Sequence, residues 1–267
     1  CFRSKTSFSY IEIYIGRFFK VVLAIMKTAL LFGSSGLVGG HLLNQLIKDT
    51  NYSKIKLFVR SIPEISDPKV EVIKTDFNNL ENHKEDIKGD DCFVCIGTTK
   101  KNSPDKDEYQ RIELDIHKEI AKIAKSNLVN SFIFVSALYA NPKSSGEYIR
   151  FKGLVEEELK ELNFPKLGIM RPSFLIGNRK EKRASETIGI FVFKLLSPLL
   201  LGPLKKMKPI HSETVAKAMI AVIQKDIQQT IFESNEIVEI NKSHIVKKNL
   251  AELFWFFWLF VNKFALD

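Results

Sequence analysis

At 267 residues, with 45% hydrophobic and 27% charged residues, the chain has ordinary globular composition and is long enough for one large domain or one domain with a small appended lobe. That excludes disordered, collagenous and disulfide-stapled proteins, and the three cysteines, Cys1, Cys92 and Cys95, are too few for a secreted framework and point to a reducing compartment, the cytoplasm. The net charge of +9 is spread along the chain, so the middle is only mildly basic, which suits an anionic small molecule and argues against a nucleic-acid partner.

Residues 1–25 are basic, Ser-rich and nearly free of acids. Met26 stands two residues before the first convincing strand and reads as the natural start, which makes 1–25 an upstream or expression-derived extension. An organellar transit peptide is the competing reading; the apolar run 21–26 is short for a secretory signal.

From Thr28 onward short apolar runs alternate with helical patterns. The first strand, Thr28–Phe32, runs into Gly33-Ser34-Ser35-Gly36-Leu37-Val38-Gly39 and a helix over Leu37–Lys48. Strand, glycine-rich turn and helix opening together make a dinucleotide site: Gly33 for the tight turn, Gly36 for close approach of backbone to a pyrophosphate, Gly39 for helix–strand packing, and free helix N–H groups for the phosphates. The second strand, Lys54–Val59, ends on Arg60-Ser61. An acid there would bind the ribose hydroxyls of NAD, whereas Arg60 can fork onto a 2′-phosphate with Ser61 assisting, so NADP(H) is preferred and NAD(H) is the alternative. A third strand, Lys69–Ile73, leads to Asp76-Phe77, placed to meet the adenine, with Asp76 accepting from its amino group or serving as a turn or helix cap.

The fourth strand, Asp91–Ile96, contains both remaining cysteines, which read as core thiols without chemistry. Helical spacing follows over Pro104–Ser126, with Ile112, Ile116, Ile120 and Ile123 on one face, then a strand at Ser131–Val135. Ser136 ends that strand. Twelve residues later Tyr148 and Lys152 stand at i and i+4, on one face of a helix over Glu147–Leu162. A phenol with a pKa near 10 is a poor acid at neutral pH, and a neighbouring ammonium lowers that pKa. Ser136 would hold a carbonyl oxygen, Tyr148 would protonate it, and Lys152 would also hydrogen-bond the nicotinamide ribose. A sixth strand covers Lys166–Met170. Beyond it come a basic loop at 177–183, helical stretches near 187–196 and 212–225, and His211, expected to pack in a turn while Ser212 caps the next helix. These form a small lobe, about 173–226, over the carboxyl ends of the strands. The alternation predicts an α/β fold, a doubly wound parallel sheet, over residues 26–240. The tail 241–267 holds the aromatic run 253–261, too short to span a membrane and read either as a terminal docking helix or as a peripheral membrane contact.

The motifs Phe32–Gly39, Val59-Arg60, Cys95-Ile96-Gly97-Thr98-Thr99, Ser136, Tyr148–Gly153, Arg171-Pro172 and 231–237 resemble an atypical short-chain dehydrogenase/reductase, of the Tat-interacting-protein oxidoreductase branch and its bacterial relatives. The resemblance covers roughly Met26 to Ile240. It implies a Rossmann fold in which Ser35, Gly36, Leu37 and Val38 line the pyrophosphate, Arg60 and Ser61 the 2′-phosphate, and Ile96, Gly97 and Thr98 the adenosine side and ribose. It further implies that Leu175 and Arg183 close on the cofactor and that Tyr148 is the active-site acid. The family often carries two arginines after the second strand, where this chain has Arg60-Ser61. The expected activity is NADP(H)-dependent reduction of a small carbonyl to an alcohol by a monomer or homodimer. An NADPH-binding regulatory module with little turnover is the second hypothesis.

Overall fold

In the computed structural model, which describes residues 26–177, 202–225 and 227–242, the core is one parallel sheet of seven strands. The strands are β1 (Lys27–Phe32), β2 (Tyr52–Val59), β3 (Val70–Lys74), β4 (Asp91–Val94), β5 (Ser131–Val135), β6 (Lys166–Arg171) and β9 (Ile231–Glu233), and they lie in the order β3-β2-β1-β4-β5-β6-β9. The central strands β1, β4 and β5 are apolar on both faces, as in β1, where Ala29 to Phe32 are all buried. That pattern requires helices above and below the sheet.

On one face, α1 (Leu37–Lys48) packs against α5 (Ser212–Gln224). Leu42, Leu43 and Leu46 meet a side of α5 that carries Val215, Ala218 and Met219. On the other face lie α4 (Glu147–Glu161) and the long helix over residues 106–126. That long helix is predicted as continuous α-helix, but it is built as α2 (Lys106–Gln110), a π-helical turn over Arg111–Asp115, and α3 (Ile116–Ser126). It starts where the Asp105 carboxylate accepts the Glu108 N–H at 2.8 Å, an ordinary N-cap. The π turn inserts one residue into the helical repeat, and such turns concentrate at functional sites.

The chain order reverses between β1 and β4, the switch point of a doubly wound sheet, so a crevice opens above their carboxyl ends. β4 stops at Val94, two residues earlier than the apolar run suggests, because Cys95-Ile96 turn over Gly33 while Cys95 N–H still donates to Phe32 O at 2.9 Å. Two further strands, β7 (Leu175–Ile176) and β8 (Ile210–His211), form a small parallel pair beside the crevice. α5 begins at Ser212, whose hydroxyl donates to Ile176 O at 3.3 Å. The cap position belongs to exposed His211, correcting the expectation that Ser212 caps. The extension 1–25, the helical stretch 187–196, Arg183 and the aromatic run 253–261 lie outside the described residues. Among the described residues no helix is long and apolar enough to cross a membrane.

Candidate active site

The crevice begins with the glycine loop. Gly33 has φ +87°, and a Cβ there would lie 2.6 Å from the Cys95 carbonyl carbon. A Cβ on Gly39 would lie 2.1 Å from Gly33 O, so only glycine lets α1 start directly against the turn. Ser35 and Gly36 are exposed, and α1 has no side-chain cap at Gly36. The first N–H groups of α1, from Leu37, Val38 and Gly39, are thus offered with the positive end of the helix dipole to whatever enters the crevice. Gly177, just after β7 and Leu175, packs onto this loop; a Cβ there would lie 2.9 Å from a methyl of Leu37. A loop of this shape fits a dinucleotide pyrophosphate, which needs close backbone approach and donors without a competing carboxylate.

On the adenosine side, Arg60 and Ser61 are exposed at the end of β2. Asp76 is exposed too, and its Oδ1 accepts the Asn78 N–H at 2.9 Å, which holds its carboxyl below the usual range and gives it the turn role foreseen as the alternative. Phe77, expected to face the adenine, instead has φ +63° and turns its ring into the core beside Leu80 and Tyr109, while its carbonyl accepts a hydrogen bond from Arg111. Ile96 and Thr98 are half-buried and Gly97 exposed above β4.

The catalytic candidates converge only in part. Tyr148 is 40% exposed in the first turn of α4, while Lys152, one turn on, is 2% exposed. The Lys152 ammonium lies 5.9 Å from the Tyr148 ring centre and 5.0 Å from that of Phe134. Beneath it stands Glu113 of the π turn, fully buried, with Oε2 3.0 Å from Nζ and Oε1 accepting the Thr98 N–H at 2.5 Å. Glu113 therefore ties the loop after β4 to the lysine, and supplies the counter-charge that a buried ammonium needs. The Oε2 contact is ionic without hydrogen-bond alignment, since that oxygen has no hydrogen-bond partner among the described residues.

Ser136 does not join this group. It is 3% exposed and donates its hydroxyl to Glu156 Oε1 at 2.6 Å, a carboxylate that also receives Arg171 Nε at 2.9 Å and Nη2 at 2.5 Å. The hydroxyl proton is thus engaged with Glu156 of α4, and no contact among the described residues brings Ser136 to Tyr148 or Lys152.

Behind Lys152, His117 is buried edge-on to Phe134, both ring nitrogens lacking a hydrogen-bond partner among the described residues. Burial, reinforced by the Lys152 charge, pushes its pKa well below the ordinary imidazole range, so it is neutral. Burial likewise pushes the Cys95 thiol up to about 12 against the pull of Lys152, and Cys92 is raised as well; both thiols are free and protonated.

Glu113 is the residue that pattern reading misses, because an acid in an amphipathic helix reads as solvent-facing. Its signal is a column: Tyr109, Glu113 and His117 recur every four residues beside the apolar face of Ile112, Ile116 and Ile120, and all three are buried.

A family model for NAD(P)H-binding proteins matches residues 33–226. Protein FMP52-1, mitochondrial, from Scheffersomyces stipitis is 28% identical over 230 residues, covering 80% of this chain and 99% of that protein. Protein HTATIP2 of Rattus norvegicus is 30% identical over 167 residues, covering 61% of this chain and 69% of that protein. The solved structure of MoeE5 with UDP-glucose and NAD superposes with a TM-score of 0.56 at 15% identity, over 79% of this chain and 80% of that one, which shows the shared fold. With the glycine loop, the parallel sheet and the switch-point crevice in place, the chain belongs to the NAD(P)H-binding family and is an atypical short-chain dehydrogenase/reductase.

Proposed function

We propose that this protein is an NADP(H)-dependent oxidoreductase that reduces a small carbonyl compound to the alcohol. The observation that carries the reading is the stacking of an exposed phenol, Tyr148, over a buried ammonium, Lys152, beside the crevice that the glycine loop opens. NADPH, when bound, supplies the hydride that reaches the carbonyl carbon. Tyr148 supplies the proton to the carbonyl oxygen, so one hydride and one proton account for the alcohol. Lys152 stabilises the phenolate that remains, by charge. Glu113 and the Thr98 N–H keep Lys152 from drifting into the crevice, and the uncapped start of α1 orients the pyrophosphate. Arg60 favours NADP(H), with NAD(H) the alternative.

A second reading has its own support. Because Ser136 is committed to Glu156, one of the two hydroxyls expected at the carbonyl oxygen is withdrawn, which favours a cofactor-binding regulator with little or no turnover. The mitochondrial names of FMP52 proteins favour the organellar placement over the cytoplasmic expectation, and suit the basic, acid-poor segment 1–25.

Paired fluorescence titrations of NADPH and NADH, followed by a panel of aldehydes and ketones scored by NADPH consumption, test the proposal. Preferential NADPH binding with turnover of at least one carbonyl supports the reductase. Tight NADPH binding with no turnover across the panel moves the regulator to the front, and binding of neither cofactor contradicts both.

A further inference from the structure

β2 and β3 are parallel neighbours in which Val59 pairs with Lys74, and the Thr75 N–H donates to Val59 O at 2.9 Å. Their carboxyl ends therefore leave the sheet side by side, about 4.8 Å apart as neighbouring strands are. Arg60 and Lys74 come off those ends, both exposed, and line one cleft of about 510 Å³ together with Thr75, Asp76, Asn79 and His83.

Two features mark this pair of cations. Neither forms an ion pair among the described residues, although Lys54 and Glu71 of the same two strands bridge at 2.6 Å. The other ionisable groups of the cleft are already engaged: Asp76 Oδ1 accepts the Asn78 N–H, and His83 Nδ1 is held 3.0 Å from Asp86. Two unpaired cations anchored on adjacent strand ends are arranged for one compact anion carrying two charges. A phosphate monoester has that charge, and a guanidinium and an ammonium grip it in different ways, one as a planar fork and the other as a point charge.

We propose that Lys74 is the second cation of a 2′-phosphate clamp, that it closes on the phosphate from β3 while Arg60 closes from β2, and that it is a determinant of preference for NADP(H) over NAD(H). This rests on the reading that the glycine loop binds a dinucleotide with its adenosine half over β2. Asp76 lies in the same cleft with only its Oδ1 engaged by the Asn78 N–H, so its carboxylate works against the phosphate and tempers the preference that the two cations set.

The test compares dissociation constants for NADPH and NADH, by fluorescence titration, in the wild-type protein and in Lys74→Gln, Lys74→Arg and Arg60→Ala. Lys74→Gln is expected to weaken NADPH about tenfold, the loss of one charged hydrogen bond, and to change NADH less than about twofold. Lys74→Arg, which keeps the charge, is expected to keep the preference; a purely structural role for the side chain would instead weaken both cofactors alike in Lys74→Gln. Asp76→Asn is expected to strengthen NADPH more than NADH, because it removes a negative charge from the cleft that would hold the phosphate. A wild-type protein that prefers NADPH, with a ratio unchanged in Lys74→Gln, overturns the clamp alone. A wild-type protein that binds the two cofactors equally overturns the clamp and the NADP(H) reading together, and one that binds neither overturns the dinucleotide reading beneath them.

Discussion

Two buried carboxylates approach the carboxyl ends of the central strands from the same face of the sheet, and they are built differently. Glu156 is satisfied: one oxygen takes Ser136 and Arg171 Nε, the other Arg171 Nη2, and Arg171 also reaches Glu233 at 3.4 Å. Glu113 is not. One of its oxygens takes the Thr98 N–H, and the other has only the charge of Lys152, which is also the neighbour of Tyr148. A carboxylate whose lone pairs are filled by fixed protein donors is a structural joint, here fastening α4 to β5, β6 and β9. A carboxylate left partly open beside a lysine and a phenol has an oxygen free to respond to a ligand, which is the part the proposed reduction would use.

Removing the charge of the structural joint gives the largest effect. Glu156→Gln leaves the half-buried Arg171 guanidinium with only Glu233 as counter-charge, and urea unfolding should show a loss of about 3 kcal/mol, the low end of what breaking a buried pair costs. A loss below about 1 kcal/mol would contradict the structural assignment. Ser136→Ala removes one charged hydrogen bond from the same joint and should cost about 1.5–3 kcal/mol, with NADPH affinity unchanged. If that variant keeps full stability while losing turnover, Ser136 belongs to the active site after all.

His117 sharpens the open half of the comparison through pH. Its folded pKa is depressed, so the unfolded chain binds the proton that the folded chain refuses, and stability falls as pH drops below the unfolded imidazole value of about 6.5. The contribution reaches about 1.4 kcal/mol per pH unit, and His117→Leu should flatten the stability profile between about pH 6.5 and 5 by that amount. An unchanged slope would mean that His117 is protonated in the folded protein.

Most of the sheet is legible because its central strands β1, β4 and β5 carry continuous apolar runs, and α1 is found at its observed bounds because glycine and apolar spacing frame it. What escapes is what is too short or too local. β7 and β8 have two residues each and β9 three, below the length at which alternation means anything. The π turn is invisible in the spacing Ile112, Ile116, Ile120, since one inserted residue leaves the apolar face intact. In the candidate site, residue types and order are readable, but side-chain direction is not: nothing in Phe134-Val135-Ser136 says that the hydroxyl bonds a carboxylate twenty residues on. Phe77 is similar, an aromatic at a cofactor position that its left-handed backbone turns inward. Lys74 is hidden because an exposed strand-end lysine is unremarkable until the sheet places it beside Arg60.

The account rests most heavily on Tyr148, and Tyr148→Phe tests it with the fewest confounders, because the ring that stands 5.9 Å from the Lys152 ammonium is kept and only the hydroxyl is lost. With whichever carbonyl the panel identifies, the account predicts NADPH affinity within about twofold of wild type and turnover reduced at least about 100-fold, the usual share of a positioned general acid. Turnover that survives the substitution unimpaired would contradict it.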